Sequence, residues 1–153
     1  MEVELKLEPG RKEPKLVVVA GEDTPELRRL LKELESLTPA PIDVWEGDRS
    51  RKLPQKDFLR FYTEGKGVAA QTEQGTWEVR LRLYELEERL DSRRFVRISN
   101  SEIINLERVT AVDLSISGTI RMTLNDKVTA YVSRRYVKKI KDTLQLGRRG
   151  RHE

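Results

Sequence analysis

Two adjacent cations, Arg134-Arg135, stand at the head of a helical pattern, where free backbone amides and guanidinium groups together can hold an anion. Three carboxylates, Glu85, Glu87 and Glu88, are close enough in sequence to suggest acid–base hydrolysis. No second constellation or metal ligand converges on them, so they read as a solvated helix face. Asp43, after Ile42, has the type of a phosphoacceptor but no acidic cluster beside it, and reads as a loop residue. Asn105, inside an apolar run, can present its amide to a base. It reads better as a buried amide that satisfies backbone groups in a turn. The chain has no cysteine and one histidine, His152, which excludes thiolate metal sites, a multi-histidine centre and a histidine triad. Neither a cofactor nor a metal is expected, and no enzymatic role.

The 153 residues carry a formal charge of +4, unevenly spread. Residues 1–50 hold 8 lysines and arginines against 12 acids, a net of −4, and residues 51–153 hold 22 against 14, a net of +8. That asymmetry fits an acidic module joined to one facing a polyanion, although a solvated basic helix accounts for the charge equally well. No run of about 18 apolar residues spans a bilayer, and Met1 to Leu7 lacks the apolar stretch of a signal peptide. A cytoplasmic location is expected.

Periodicity divides the chain. Val3–Leu7 alternates at period two and Leu16–Val19 is continuously apolar, so both read as strands separated by Pro9-Gly10. Thr24-Pro25 opens a helix with Leu27, Leu30, Leu31, Leu34 and Leu37 along one face, a stripe that fits an internal core or a dimer seam. Residues 1–50 thus form a strand–strand–helix module for dimerisation or partner binding, with residues 46–56 as a polar junction. Strands follow at 58–62, 68–72, 77–81, 95–98, 109–115, 120–124 and 128–132, with a short helix carrying Leu83, Leu86 and Leu90. A last helix, 134–144, is expected to end at Gly147, leaving 147–153 as a basic tail. The fold class is mostly β (α+β): a domain over 51–146 of small sheets with short helices, preceded by the ββα module.

Two segments are specific in a way that composition is not. Phe95-Val96-Arg97-Ile98-Ser99-Asn100-Ser101-Glu102-Ile103-Ile104-Asn105-Leu106 precedes the hairpin strands, and Tyr131-Val132-Ser133-Arg134-Arg135-Tyr136-Val137-Lys138-Lys139-Ile140 follows them. With Phe58–Tyr62 and Leu83–Glu87 upstream, this order resembles the LytTR family of bacterial DNA-binding domains over roughly residues 53–145. The resemblance is to stand-alone members whose short N-terminal module replaces a phosphoacceptor receiver, a doubly wound domain of about 120 residues.

The resemblance implies a transcription regulator that places loops in successive major grooves of double-stranded promoter repeats, as a homodimer. It implies control by a partner, such as a small integral membrane protein that holds it inactive, instead of phosphorylation. Base contacts fall by position to Lys66, between Gly65 and Gly67, to Asn100 and to Arg135; arginine suits guanine and asparagine suits adenine. Arg97, Ser99, Ser101, Arg134, Tyr136, Lys138 and Lys139 form the expected phosphate set. The competing reading is a partner-sequestered interaction module without specific DNA binding. An RNA-associated role lacks the interleaved surface aromatics that stack on single strands.

Overall fold

A computed structural model describes residues 1–12, 14–37 and 39–152, with side chains left aside for Ser36 and for 145–152. The chain divides into two compact units, Met1–Thr38 and Pro39–Glu153.

In the first unit, helix α1 spans Pro25–Ser36. Thr24 stays extended and its hydroxyl accepts the Leu27 N–H at 3.2 Å, while Pro25 occupies the position where no donor is needed. The two strands expected before it do not form: residues 3–7 and 16–19 are without strand pairing in the chain. A local reason is visible. Arg11 N–H bonds the Glu8 carbonyl at 3.2 Å across Pro9-Gly10, with Gly10 at φ +92°. Proline followed by a left-handed glycine is the type II pattern, whose twist splays flanking strands instead of pairing them.

The second unit is built on hairpins. Strands β1 (Ile42–Glu46), β2 (Arg49–Leu53), β3 (Phe58–Glu64), β4 (Gly67–Thr72), β5 (Gly75–Val79), β6 (Phe95–Ser99) and β7 (Glu102–Asn105) form one antiparallel sheet in the order β2-β1-β5-β4-β3-β7-β6. Strands β8 (Val109–Asp113), β9 (Ile120–Leu124) and β10 (Val128–Val132) form a second sheet, ordered β10-β9-β8. Helix α2 (Leu83–Arg89) lies between β5 and β6, and α3 (Arg134–His152) follows β10. Glu85 caps α2 by accepting the Arg82 N–H at 3.1 Å, which gives one of the three neighbouring carboxylates a structural task.

Three expectations are corrected here. Residues 46–56 are no junction: β2 pairs with β1 through all five residues, and the unit starts at Pro39 instead of residue 51. Asp43 lies on β1, not in a loop, and its carboxylate takes the Lys52 ammonium at 2.8 Å. Helix α3 continues to His152, so Gly147 does not end it; the side chains of the expected basic tail lie outside those described, and Glu153 outside the described residues.

The large sheet is apolar on both faces. A register shift in β3 between Phe58 and Arg60 puts Phe58 and Phe61 in one cluster, ring centroids 4.7 Å apart, with Leu83 and Leu86 of α2 and Phe95 and Ile103. Leu59, Ile98 and Ile104 belong to the opposite cluster, with Ile120, Met122, Leu124 and Val132 of the small sheet and Ile140 of α3. Arg108 ties the layers further, donating to the Lys56 carbonyl at 2.7 Å and to Glu73 at 3.1 Å.

Candidate nucleic-acid interface

The sheet order brings two turns to one end of the large sheet. Tyr62 of β3 is opposite Glu102 of β7, and the Thr63 N–H donates to the Ser101 carbonyl at 2.9 Å. The β3–β4 turn, Gly65-Lys66, therefore projects past the same end as the β6–β7 turn, which carries Asn100. Gly65 sits at φ +59°, in the left-handed region that glycine enters at least cost, which favours the tight reversal that presents Lys66.

The start of α3 is fastened to the second of these turns. Ser133 N–H donates to the Ile98 carbonyl at 2.9 Å, and the Tyr136 hydroxyl donates to Asn100 Oδ1 at 3.3 Å. Asn100 and Arg135 are thus on neighbouring elements of the second unit. Lys66, Asn100, Arg134, Arg135, Lys138 and Lys139 are positioned on these turns and on the first turns of α3, and all six are exposed. The hydroxyl of Tyr136 also orients the amide it touches: with Oδ1 holding one donor, the Nδ2 hydrogens remain available to point outward.

Two residues of the expected phosphate set do other work. The Arg97 guanidinium is turned onto its own turn, donating from Nε to the Ser99 carbonyl at 2.7 Å and from Nη2 to the Asn100 carbonyl at 2.6 Å, with Glu87 of α2 as its ion-pair partner. It clamps the backbone that carries Asn100. Tyr136 is likewise engaged with Asn100. Ser99 and Ser101 hold the turn from within, their hydroxyl oxygens 3.2 Å apart and the Ser101 N–H donating to Ser99 Oγ at 3.1 Å.

Between this turn and the small sheet lies an open cleft of about 470 Å³ edged by hydroxyls: Ser99, Ser101, Ser117, Thr119, Thr129 and Ser133. Arg134 leans over its rim, Nε lying 3.1 Å from where a Cβ on Gly118 would stand. Tyr131, 55% exposed, also lines it. Sequence reasoning missed this part of the surface, although one signal was present. On β10 the residues alternate, with Ala130 and Val132 buried and Thr129 and Tyr131 exposed, so the outward set leads directly to Ser133 and Arg134.

Glu102 lies in the cleft wall. Burial raises its carboxyl above the ordinary value near 4.5, and the Arg60 guanidinium at 3.0 Å offsets this only in part. Arg60 itself is held by Gln71 at 2.7 Å and lies 4.4 Å from the centre of the Tyr62 ring. A raised folded-state value means the native protein binds more protons than the unfolded chain between the two values. The contribution to stability is therefore full below about pH 4.5 and is lost as pH rises through the folded value. Urea unfolding of the parent and of Glu102→Gln from pH 4 to 7 is expected to show the variant gaining on the parent as pH rises. A pH-independent difference would contradict this.

Asn105 is fully buried; its Nδ2 donates to the Phe58 carbonyl at 2.9 Å and its Oδ1 accepts the Glu107 N–H at 3.0 Å. Among the described residues no group of three or more histidines, cysteines or acids is arranged to hold a metal, and no helix is long and apolar enough to cross a membrane.

Residues 48–145 match the family model of the LytTr DNA-binding domain. Two proteins of Staphylococcus aureus, strains NCTC 8325 and COL, each bearing the name uncharacterized HTH-type transcriptional regulator, are 42% identical over 90 residues, 59% of this chain. The match spans about 60% of the length of those relatives. A solved LytTr DNA-binding domain from Bacillus cereus superposes with a TM-score of 0.65 at 19% identity, covering 69% of this chain and 96% of that one, which shows a shared fold.

Proposed function

Since this chain belongs to the LytTR DNA-binding domain family, we propose that it is a transcription regulator that reads double-stranded promoter DNA with turns instead of a recognition helix. The observation that carries this reading is the Tyr136–Asn100 hydrogen bond at 3.3 Å, which joins the turn bearing a carboxamide to the helix start bearing Arg135. Two chemically distinct base readers are then carried on linked elements. The names of the Staphylococcus aureus relatives agree with a regulatory role.

Asn100 presents its amide to adenine, Arg135 its fork to guanine, and Lys66 reaches a second position from the β3–β4 turn. Ser99, Ser101, Arg134, Lys138 and Lys139 meet phosphates, with the free amides at the start of α3 adding to them. Arg97 and Tyr136 are positioning residues that fix the Asn100 turn. Two protomers occupy paired promoter repeats. Control rests with a partner, such as a small integral membrane protein, instead of phosphorylation: Asp43 on β1 is paired with Lys52 at 2.8 Å, and among the described residues no acidic group of three or more gathers as a phosphoacceptor pocket would need.

The test is a mobility shift with the full chain and promoter DNA across a salt series. If each protomer neutralises about 5 phosphates, log affinity is expected to fall with a slope of about −4 to −5 per protomer against log salt. Absence of retardation at low salt would favour an interaction module without DNA binding.

A further inference from the structure

The first unit holds an extended segment that pairs with no strand among the described residues. Along Val3-Glu4-Leu5-Lys6-Leu7 the odd positions are apolar and the even ones charged, yet Val3, Leu5 and Leu7 are 92%, 83% and 80% exposed. Leu16, Val17 and Val19 are also exposed, the two segments are not paired as a hairpin, and the left-handed Gly10 after Pro9 gives the turn type that does not favour one. A stretch of extended apolar and charged alternation with its backbone groups unpaired is a template for strand addition. The 38 residues of this unit are too few for a core of their own.

The charges say what adds. In an antiparallel pairing centred on Leu5, Val3 faces Leu7, Leu5 faces its own copy, and Glu4 faces Lys6 twice. Within residues 3–7, parallel in-register pairing instead puts Glu4 on Glu4 and Lys6 on Lys6, and shifting the antiparallel register by two residues puts either Lys6 on Lys6 or Glu4 on Glu4 at the centre and loses both Glu4–Lys6 pairs. Cross-strand pairs of opposite charge stabilise a sheet and like pairs oppose it. The unfavourable contact in the chosen register, Glu2 with Glu8, also occurs twice by symmetry; it lies outside the alternating core of residues 3–7, and Glu8 has its own counter-ion in Arg11 at 3.1 Å. An antiparallel pairing about one residue is a two-fold arrangement, the commonest symmetry of soluble dimers.

We infer that two copies of this chain associate through their N-terminal segments, residues 3–7 of each forming an antiparallel pair centred on Leu5 with reciprocal Glu4–Lys6 contacts. Each copy also brings the leucine face of α1, with Leu31 37% and Leu37 60% exposed, to cover the apolar side of the paired strands. This gives the pairing of protomers proposed above a physical seam and rests on that part of the reading alone.

Sedimentation equilibrium of the full chain without DNA tests it. The parent is expected to be a dimer at micromolar concentration. Glu4→Lys and Lys6→Glu, each of which turns two attractive pairs repulsive by symmetry, are expected to weaken association about tenfold or more. The double variant E4K/K6E restores the complementarity and is expected to recover parental association. A monomeric parent, single variants that associate as the parent does, or a double variant weaker than both singles would overturn the inference. Because no DNA is present, failure here leaves the DNA-binding reading standing, and failure of the mobility shift leaves this seam standing.

Discussion

Replacing Arg135 with alanine is expected to weaken binding to a specific operator by about 1–3 kcal/mol, roughly 5- to 150-fold, and to relax preference at one base position while leaving the fold intact. Arg135 is exposed at the start of α3 and lies outside both hydrophobic clusters, so the substitution takes a guanidinium from the DNA and nothing from the core. Lys139→Ala is the comparison. Taking an ammonium away from a phosphate there weakens binding evenly across operator sequences and lowers the salt slope by about 1. The two variants separate base reading from charge neutralisation, which a single affinity cannot. Asn100→Ala is expected to fall with Arg135→Ala, and the double variant to lose less than the sum, because Tyr136 couples the two elements at 3.3 Å. Unchanged operator preference in the Arg135 variant would remove that residue from the reading group.

How much of this was legible from residues alone varies with the kind of signal. Turns were readable where glycine or asparagine must occupy a left-handed position. Gly65 at φ +59°, Asn125 at φ 50° and Asp126 at φ 59° mark reversals that residue type foretold. The β1–β2 hairpin was obscured because Arg49-Ser50-Arg51-Lys52 reads as solvated polar chain. Guanidinium groups laid over rings support it, Arg80 at 3.7 Å from the Trp45 centroid and Arg51 at 5.4 Å from Trp77, and pattern scoring counts those groups as polar. Gly47 at φ +61° was the overlooked mark of that turn. The opposite error came at residues 3–7 and 16–19, where alternation was real but strand formation needs a partner that periodicity does not specify.

The site followed the same division. Family resemblance located the turn at Asn100 and the helix start at Arg135, but it could not tell a ligand contact from a brace. Arg97 is ten residues from Glu87 in sequence and on a different element, so only the fold reveals that its charge is spent internally. The same holds for the Tyr136 hydroxyl.

Asn105→Leu is expected to be the most destabilising of these substitutions, by about 2–4 kcal/mol, since the side chain is fully buried and serves two backbone groups. Leucine fills similar space but leaves the Phe58 carbonyl without the donor now at 2.9 Å and the Glu107 N–H without the acceptor at 3.0 Å. The Phe58 carbonyl belongs to the strand residue at the β3 register shift, and Glu107 to the turn that leads from β7 into β8. The amide therefore pins the passage from the large sheet to the small one, between the two hydrophobic clusters. The expected signature is a lowered urea midpoint with operator preference unchanged for the molecules that remain folded. Were Asn105 a base reader, the preference would change and the midpoint would hold. Its burial argues against that outcome, because a side chain with no exposed surface reaches a base only after the two bonds that define its position are broken.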